Sequence, residues 1–474
     1  MSRRYDLVVV GGGTGGLVSA LIAAGAGARV ALVERGRTGG DCLWTGCVPS
    51  KSLIAAAALA HRMRHADAVG LEPVDPAIDF ARVMDHVWGA IHTIEPHDSP
   101  QRLRAAGVDV IEADARFTAP GRIEAGGREL HWRAAIIATG SRPTIPAIRG
   151  LDAIEPLTTE TLWDLRELPA RLAILGGGPV GCELSQAFAR LGARVALVEM
   201  ADRLLVHEEP RAGSLIARRL AADGVEVHLG RAASAIWDGR LLLDGGDAVA
   251  FDRLLVAAGR TPRSADLGLE AVGVALDGEG AVWVDRRLRT SARGIYAVGD
   301  VTGLLPFTHV AAHHARVATV NALFHARREI SDTLPSVAFT DPEVARVGLT
   351  EARARERFGD GVIVATSDYA SLDRAIAAGE AYGFAKLVAD PRGRLVGATV
   401  AAPAAGEAIA GLTAWVSRGA RIDDVSRTVH AYPTFAEGPA RAADQHLAAR
   451  YSSARARKLA RPVLAALQAL ERPR

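Results

Sequence analysis

One pattern occurs twice in this chain. The apolar run Tyr5-Asp6-Leu7-Val8-Val9-Val10 leads into Gly11-Gly12-Gly13-Thr14-Gly15-Gly16, then a helical stretch from about Leu17 to Ala26, then a second run from Arg29 to Val33 ending at Glu34. The same order returns at Arg171-Leu172-Ala173-Ile174-Leu175, Gly176-Gly177-Gly178-Pro179-Val180-Gly181, a helical stretch near Glu183 to Leu191, and Arg194 to Val198 ending at Glu199. Short continuous apolar runs are the signature of parallel strands buried on both faces. Glycines between strand and helix let the backbone approach a pyrophosphate, which the helix N-terminus stabilises. An acid roughly 20 residues on accepts hydrogen bonds from a ribose. One such loop is weak evidence; two, each with its strand and its acid, are strong. The pattern predicts an α/β chain with two Rossmann-like dinucleotide-binding domains, with Gly11, Gly13, Gly16 and Glu34 at one site and Gly176, Gly178, Gly181 and Glu199 at the other.

Just after the first unit comes Gly39-Gly40-Asp41-Cys42-Leu43-Trp44-Thr45-Gly46-Cys47-Val48-Pro49-Ser50-Lys51, holding two of the three cysteines. Two thiols pair only when their Cα atoms come within about 7 Å. A helix starting near Cys42 would place Cys47 roughly one turn on. The spacing alone also suits two inert packed thiols. Its place beside a nucleotide loop favours electron transfer between a cofactor and a sulfur couple.

A chain of 474 residues implies two to four domains, and 49% apolar residues supply several cores. The formal charge of +2 gives no reason to expect nucleic acid as a partner. Three cysteines argue against a disulfide-stapled secreted protein. Arg3-Arg4 before an apolar run resembles a signal sequence, but the glycine loop interrupts the apolar core. A cytoplasmic protein without a membrane span is expected, and no metal-ligand cluster is apparent. The basic residues are almost all Arg; Lys51, Lys386 and Lys458 are the lysines, so an amine beside the cysteines points to a need for one there.

Residues 53–100 read as helical, with apolar spacing through Leu59, Met63 and Val69. β-rich stretches follow, ending in Ala138-Thr139-Gly140 and in Gly259-Arg260-Thr261-Pro262, and Ala297-Val298-Gly299-Asp300 precedes a helix to about Phe324. From Leu334 the texture becomes α+β, with strands near 336–339 and 384–388 and helices at 350–357 and 404–418. The basic tail from Arg455 to Arg474 places Leu459, Val463, Leu467 and Leu470 at helical spacing, with Pro462 as a possible helix start, and reads as a solvated helix packed on a dimer.

Together these motifs resemble the FAD-dependent pyridine nucleotide–disulfide oxidoreductases, over nearly the whole chain and in the family's order. The resemblance implies an FAD domain at 1–148 and 266–332, an NAD(P) domain at 149–265 and a dimerisation domain at 333–474. It implies FAD at the first glycine loop, Glu34, Thr139, Gly140 and Asp300, and a nicotinamide dinucleotide at the second loop, Glu199, Gly259 and Arg260. Cys42 is similar to the thiol that meets substrate and Cys47 to the thiol against the flavin. Lys51 and Glu183 match a pair near the flavin N5. Cys182 reads as a small packed residue. Glu199 favours NADH because a carboxylate repels a 2′-phosphate, with NADPH left open by Arg194 and Arg203.

The chain departs from the family in Val429-His430-Ala431-Tyr432-Pro433-Thr434-Phe435-Ala436-Glu437. In the family a histidine here, with a Glu shortly after, completes the site across the dimer. Tyr432 takes its place; with a pKa near 10 it donates a proton but is a poor base at neutral pH. Glu437 remains, and His430 is two residues away as a replacement or a structural neighbour. Mercuric reductase resembles this segment better, and paired thiolates suit a soft ion. The terminal cysteine pair of that enzyme has no counterpart, since no Cys follows Cys182. The leading expectation is transfer from NAD(P)H through FAD to Cys42–Cys47 and on to a small disulfide, dithiol or soft-metal partner in a homodimer. A soluble transhydrogenase and a redox-inert flavin-binding assembly subunit are the competing readings.

Overall fold

The computed structural model describes residues 4–470. The chain divides into two compact units, the first built from the described parts of Met1–Arg64, Val74–Asp202 and Asp223–Ser331, the second from His65–Pro73, Arg203–Ala222 and Asp332–Arg474.

Among the described residues, the first unit carries a seven-stranded sheet in the order Val108–Glu112, Val30–Glu34, Tyr5–Val10, Arg128–Ile137, Arg122–Ala125, Ala115–Ala119, with Ile295–Ala297 also paired to Arg128–Ile137. The central pairs are parallel, with Leu7 opposite Val30 and Ala134. Both faces of the first strand are covered. Leu7 and Val9 pack with Leu17 and Ala20, while Val8 and Val10 join Phe117 and Ile123. This explains the apolar run Leu7-Val8-Val9-Val10: those four positions are buried on both faces, while Asp6 near the strand start is partly exposed. A second, parallel sheet runs Glu226–Leu229, Arg194–Glu199, Arg171–Leu175, Arg253–Val256.

Six helices of this unit are labelled here: α1 Thr14–Gly25, α2 Gly40–Trp44, α3 Cys47–Arg64, α4 Phe80–Asp98, α5 Pro100–Ala105 and α6 Pro179–Arg190. Three expectations need correction. α1 starts three residues before Leu17, because the end of the glycine loop is already its first turn. No single helix links the two cysteines: α2 ends at Trp44 and α3 begins at Cys47. The inward stripe of α3 is Leu53, Ala57 and Ala60, while Leu59 and Val69 are exposed. Gly40–Arg64 is the one stretch among the described residues long and apolar enough to cross a membrane, but α3 packs against α4 and α6.

The second unit holds a five-stranded antiparallel sheet, ordered Pro335–Ala338, Glu343–Gly348, Leu395–Ala402, Phe384–Ala389, Ile363–Asp368. Its core gathers Val347, Tyr369, Leu387, Val400, Ile409 and Leu412. The tail helix runs Ala454–Leu470, so Pro462 lies inside it rather than at its start. Ser453 Oγ accepts the Ala456 amide at 3.2 Å and sets the beginning. Leu459, Val463, Leu467 and Leu470 are exposed. The last four residues of the expected tail lie outside the described residues.

Candidate active site

The two glycine loops repeat one geometry. Gly11 has φ +106° and Gly176 φ +109°, and a Cβ on either would lie 2.4 Å from a carbonyl oxygen, of Ala138 or of Ala257. A Cβ on Gly16 or Gly181 would meet the carbonyl of Gly11 or Gly176 at 1.8 Å. Only glycine fits these positions. Gly13 and Gly178 are the N-caps of α1 and α6, and neither helix has a side-chain cap. Their first N–H groups are therefore left for an anion. The acids also match. Glu34 accepts from the amides of Gly12 (2.5 Å) and Gly36 (2.7 Å); Glu199 accepts from Gly177 (2.6 Å) and Ala201 (2.7 Å). Each carboxylate oxygen keeps a lone pair for a ribose hydroxyl. The residues present thus fit two dinucleotides.

The dithiol segment is fastened to the first loop. The Gly39 amide donates to the Gly12 carbonyl at 2.9 Å, and a Cβ on Gly40 would lie 2.6 Å from Gly13 Cα. A side chain at 40 would drive the segment off the loop, while Gly39, at φ +103°, leaves no room for a Cβ against Leu43. Gly46 turns the chain between α2 and α3; a Cβ there would press on the Asp41 carbonyl at 2.9 Å. Trp163, buried, donates through Nε1 to the carbonyls of Thr45 (3.0 Å) and Thr159 (2.7 Å) and so holds this break.

Cys42 and Cys47 are free thiols, as is the fully buried Cys182, whose Sγ donates to the Gly177 carbonyl at 3.3 Å. The first two behave as an asymmetric pair. The neighbouring Cys47 sulfur, and then burial, make Cys42 hold its proton more tightly than a free thiol. Cys47 is lowered to about 6, first by the neighbouring Cys42 thiol, then by Thr308 and the charge of Lys51, against burial and Glu183. Cys47 Sγ lies 3.2 Å from Thr308 Oγ1. Lys51, one turn further along α3, pairs with Glu183 Oε2 at 2.8 Å, and the Glu183 side chain is only 6% exposed. The arrangement keeps a thiolate at Cys47 near neutral pH.

Asp300 accepts from Ser141 Oγ at 2.7 Å, and Ser141 Oγ accepts from Arg260 Nε at 2.6 Å. Arg260 also pairs with Asp41, beside Cys42. Thr139 donates to the Arg263 carbonyl at 2.6 Å, and Gly140 and Gly259 take φ of +70° and +110°. The first unit thus brings together Cys42, Cys47, Lys51, Glu183, Asp300 and Arg260. Sequence reasoning missed Thr308, Ser141, Asp41 and Trp163. For Asp41 its place next to Cys42 was a signal; for the others residue type carried none.

Tyr432, His430 and Glu437 lie in the second unit. The Tyr432 hydroxyl donates to Asp373 Oδ2 at 2.7 Å, which raises the tyrosine pKa and lowers that of Asp373. Arg441 spans Asp373 (3.1 Å) and Glu437 Oε1 (2.9 Å), and Glu437 Oε2 is buried without a partner. His430 Nε2 is 3.1 Å from the Val425 carbonyl, and its ring packs edge-on against Trp415.

Residues 5–315 match the family described as pyridine nucleotide-disulphide oxidoreductase, and 334–443 match its dimerisation domain. The chain belongs to this family. It is similar to a mercuric reductase of Streptomyces lividans, 38% identical over 448 residues, covering 91% of this chain and 94% of that protein. It is similar also to a dihydrolipoyl dehydrogenase of Haloferax volcanii, 36% identical over 467 residues (93% and 96%). Among solved structures it resembles LpdA of Mycobacterium tuberculosis (TM-score 0.85, 28% identity, 93% and 99% covered) and the HOCl-induced flavoprotein disulfide reductase RclA of Escherichia coli (0.83, 29%, 93% and 99%). A copper(II) complex of RclA aligns with TM-score 0.82, 28% identity and coverage of 94% and 99%. The chain is a flavoprotein oxidoreductase of this family, moving electrons from a pyridine nucleotide through FAD to a disulfide, and its dimerisation domain makes it a homodimer.

Proposed function

We propose that the chain uses NADH, in preference to NADPH, to reduce a Cys42–Cys47 disulfide, and that Cys42 then takes a small disulfide or a soft metal ion. The observation that carries this reading is the setting of Cys47: its Sγ lies 3.2 Å from Thr308 Oγ1 and one helical turn from Lys51, which pairs with Glu183 at 2.8 Å, and Thr308 and the Lys51 charge both lower its pKa. Bound FAD supplies the relay between nicotinamide and disulfide. Residues 1–148 with 266–332 are assigned to FAD and 149–265 to NAD(P). Glu34, Thr139, Gly140 and Asp300 are assigned to the flavin nucleotide; Glu199, Gly259 and Arg260 to the second site and its border. The protein residues act on protons and charge. Lys51, neutralised in part by Glu183, stabilises the Cys47 thiolate. Toward a disulfide, Cys42 gives up its proton as it attacks one sulfur, forming a mixed disulfide and releasing the first half as a thiol; the Cys47 thiolate then attacks Cys42 Sγ and releases the second half as the Cys42–Cys47 disulfide re-forms.

A soft-metal acceptor is supported by the mercuric reductase relative and the copper complex of RclA. Dithiol chemistry is supported by the dihydrolipoyl dehydrogenase relative. Tyr432 of one subunit serves the dithiol of the other as a proton donor, while His430, engaged with Val425 and Trp415, is structural.

The deciding experiment is anaerobic addition of NADH to the purified flavoprotein, followed through the long-wavelength thiolate-to-flavin charge-transfer absorbance. Its appearance, and its loss in Cys47→Ser, supports the reading. Flavin reduction without that band removes the disulfide from the pathway and favours a transhydrogenase. A panel of lipoamide, oxidised glutathione, Hg(II) and Cu(II) then ranks acceptors, and stopped-flow comparison of NADH with NADPH checks the donor. Unchanged turnover of every acceptor in Tyr432→Phe would remove Tyr432 from the mechanism.

A further inference from the structure

α3 and α4 form an antiparallel pair, as the contacts of α6 reveal. Phe80, the first residue of α4, packs on Phe188, and Arg64, the last of α3, donates to the Arg190 carbonyl at 2.5 Å. The end of α3 and the start of α4 thus meet at one end of α6. With 18 and 19 residues, the two helices are both about 28 Å long. The last residue of α4, Asp98, is therefore carried back to the end of α3 that bears Cys47, where α2 with Cys42 packs against α4. Cys47 and burial do most to hold the Cys42 proton, and the charge of Asp98 adds a smaller push in the same direction. The Asp98 carboxylate is half-buried and makes no hydrogen bond or ion pair among the described residues. Burial raises the Asp98 pKa, and the charges of Arg102 and His97 partly offset this without forming an ion pair with it; Arg102 donates to the His97 carbonyl, and Lys51 is committed to Glu183. Asp41 is matched by Arg260.

We propose that Asp98 is a specificity-determining residue that favours cationic and neutral partners over anionic ones at Cys42. A carboxylate left unpaired beside a reacting sulfur repels a carboxylate-bearing disulfide and attracts an ammonium disulfide or a metal cation. The selection rests on the reading of Cys42 as the thiol that meets the acceptor. It is tested without any turnover.

The test alkylates reduced holoenzyme with neutral iodoacetamide or anionic iodoacetate, following the Cys42 peptide by mass spectrometry. Wild type disfavours iodoacetate relative to iodoacetamide. Asp98→Asn raises the iodoacetate-to-iodoacetamide rate ratio on the order of fivefold at low salt, and the gain shrinks at high salt. Asp98→Glu, which keeps the charge, retains the wild-type ratio. A ratio unchanged in Asp98→Asn, or changed equally in both variants, overturns the proposal, since a purely structural effect alters both reagents together. In turnover, cystamine exceeds oxidised glutathione in kcat/KM, and Asp98→Asn narrows the gap. If no disulfide is turned over, the proposed function fails while the alkylation result still decides the role of Asp98.

Discussion

Lys51 Nζ lies 2.8 Å from Glu183 Oε2, joining the helix that begins at Cys47 to the helix that leaves the second glycine loop. The two charges act on Cys47 in opposite senses, Lys51 lowering its pKa and Glu183 raising it. Lys51→Met is therefore expected to move the Cys47 pKa up from about 6, and Glu183→Gln to move it down. The shift is about one unit each way. At pH 7 the first variant loses thiolate and the second gains it. The pH profile of Cys47 alkylation checks both; shifts of the same sign would show that the pair acts through structure rather than charge.

Thr308 contributes a neutral hydrogen bond to the same sulfur, 3.2 Å away. Thr308→Val keeps the shape and removes the donor, so the thiolate loses about 1 kcal/mol of stabilisation, under one pKa unit. Thr308→Ser should restore it. The readout is again the Cys47 profile, with charge-transfer absorbance falling at pH 6 to 7 in the valine variant alone.

Legibility in the sequence followed how local each determinant was. The glycine loops were readable because only glycine meets φ near +110° with a carbonyl 2.4 Å from its missing Cβ. Glu34 and Glu199 were readable by distance along the chain, though the amides that hold them were not. Lys51 stood out because lysine is scarce, and Lys386 shows the same logic: it pairs with Glu209 and Glu351 in the second unit. Gly39, Gly40 and Gly46 were visible as letters, but their reason, backbone against the first loop and a turn between two helices, belongs to tertiary packing. Thr308 lies 261 positions from Cys47, and no periodicity links them. The exposed face of α3 misled for a related cause, since its buried stripe is mostly alanine and the larger Leu59 points outward.

At the far end of α3 and α6 a second ion pair does different work. Arg190 and Asp223, each 4% exposed, meet at 3.0 Å, with Gln186 donating to Asp223 at 2.7 Å and His61 at 3.3 Å. Asp223→Ala leaves a guanidinium buried without its counter-ion. The loss is expected to be about 3–5 kcal/mol of unfolding free energy. Urea unfolding of the holoenzyme checks it. Asp223→Ala with Arg190→Met should recover much of that loss, because the isolated charge rather than the missing pair is what destabilises.

His314 gives the protein an acid-labile point away from the dithiol. It is 1% exposed in helix Thr308–Phe324, and neither ring nitrogen has a partner. Burial, and then the neighbouring His313, push its pKa from 6.5 down to about 4. Because the folded value lies below the unfolded one, the unfolded chain binds more protons between these limits. Stability from this group is full above pH 6.5 and is lost as pH falls toward 4, by roughly 3 kcal/mol at most. His314→Leu is expected to flatten that part of the stability–pH curve while changing little at pH 8. Thermal unfolding at pH 5 and pH 8 measures the difference, and equal Tm shifts at the two pH values would show that protonation of His314 is not the cause.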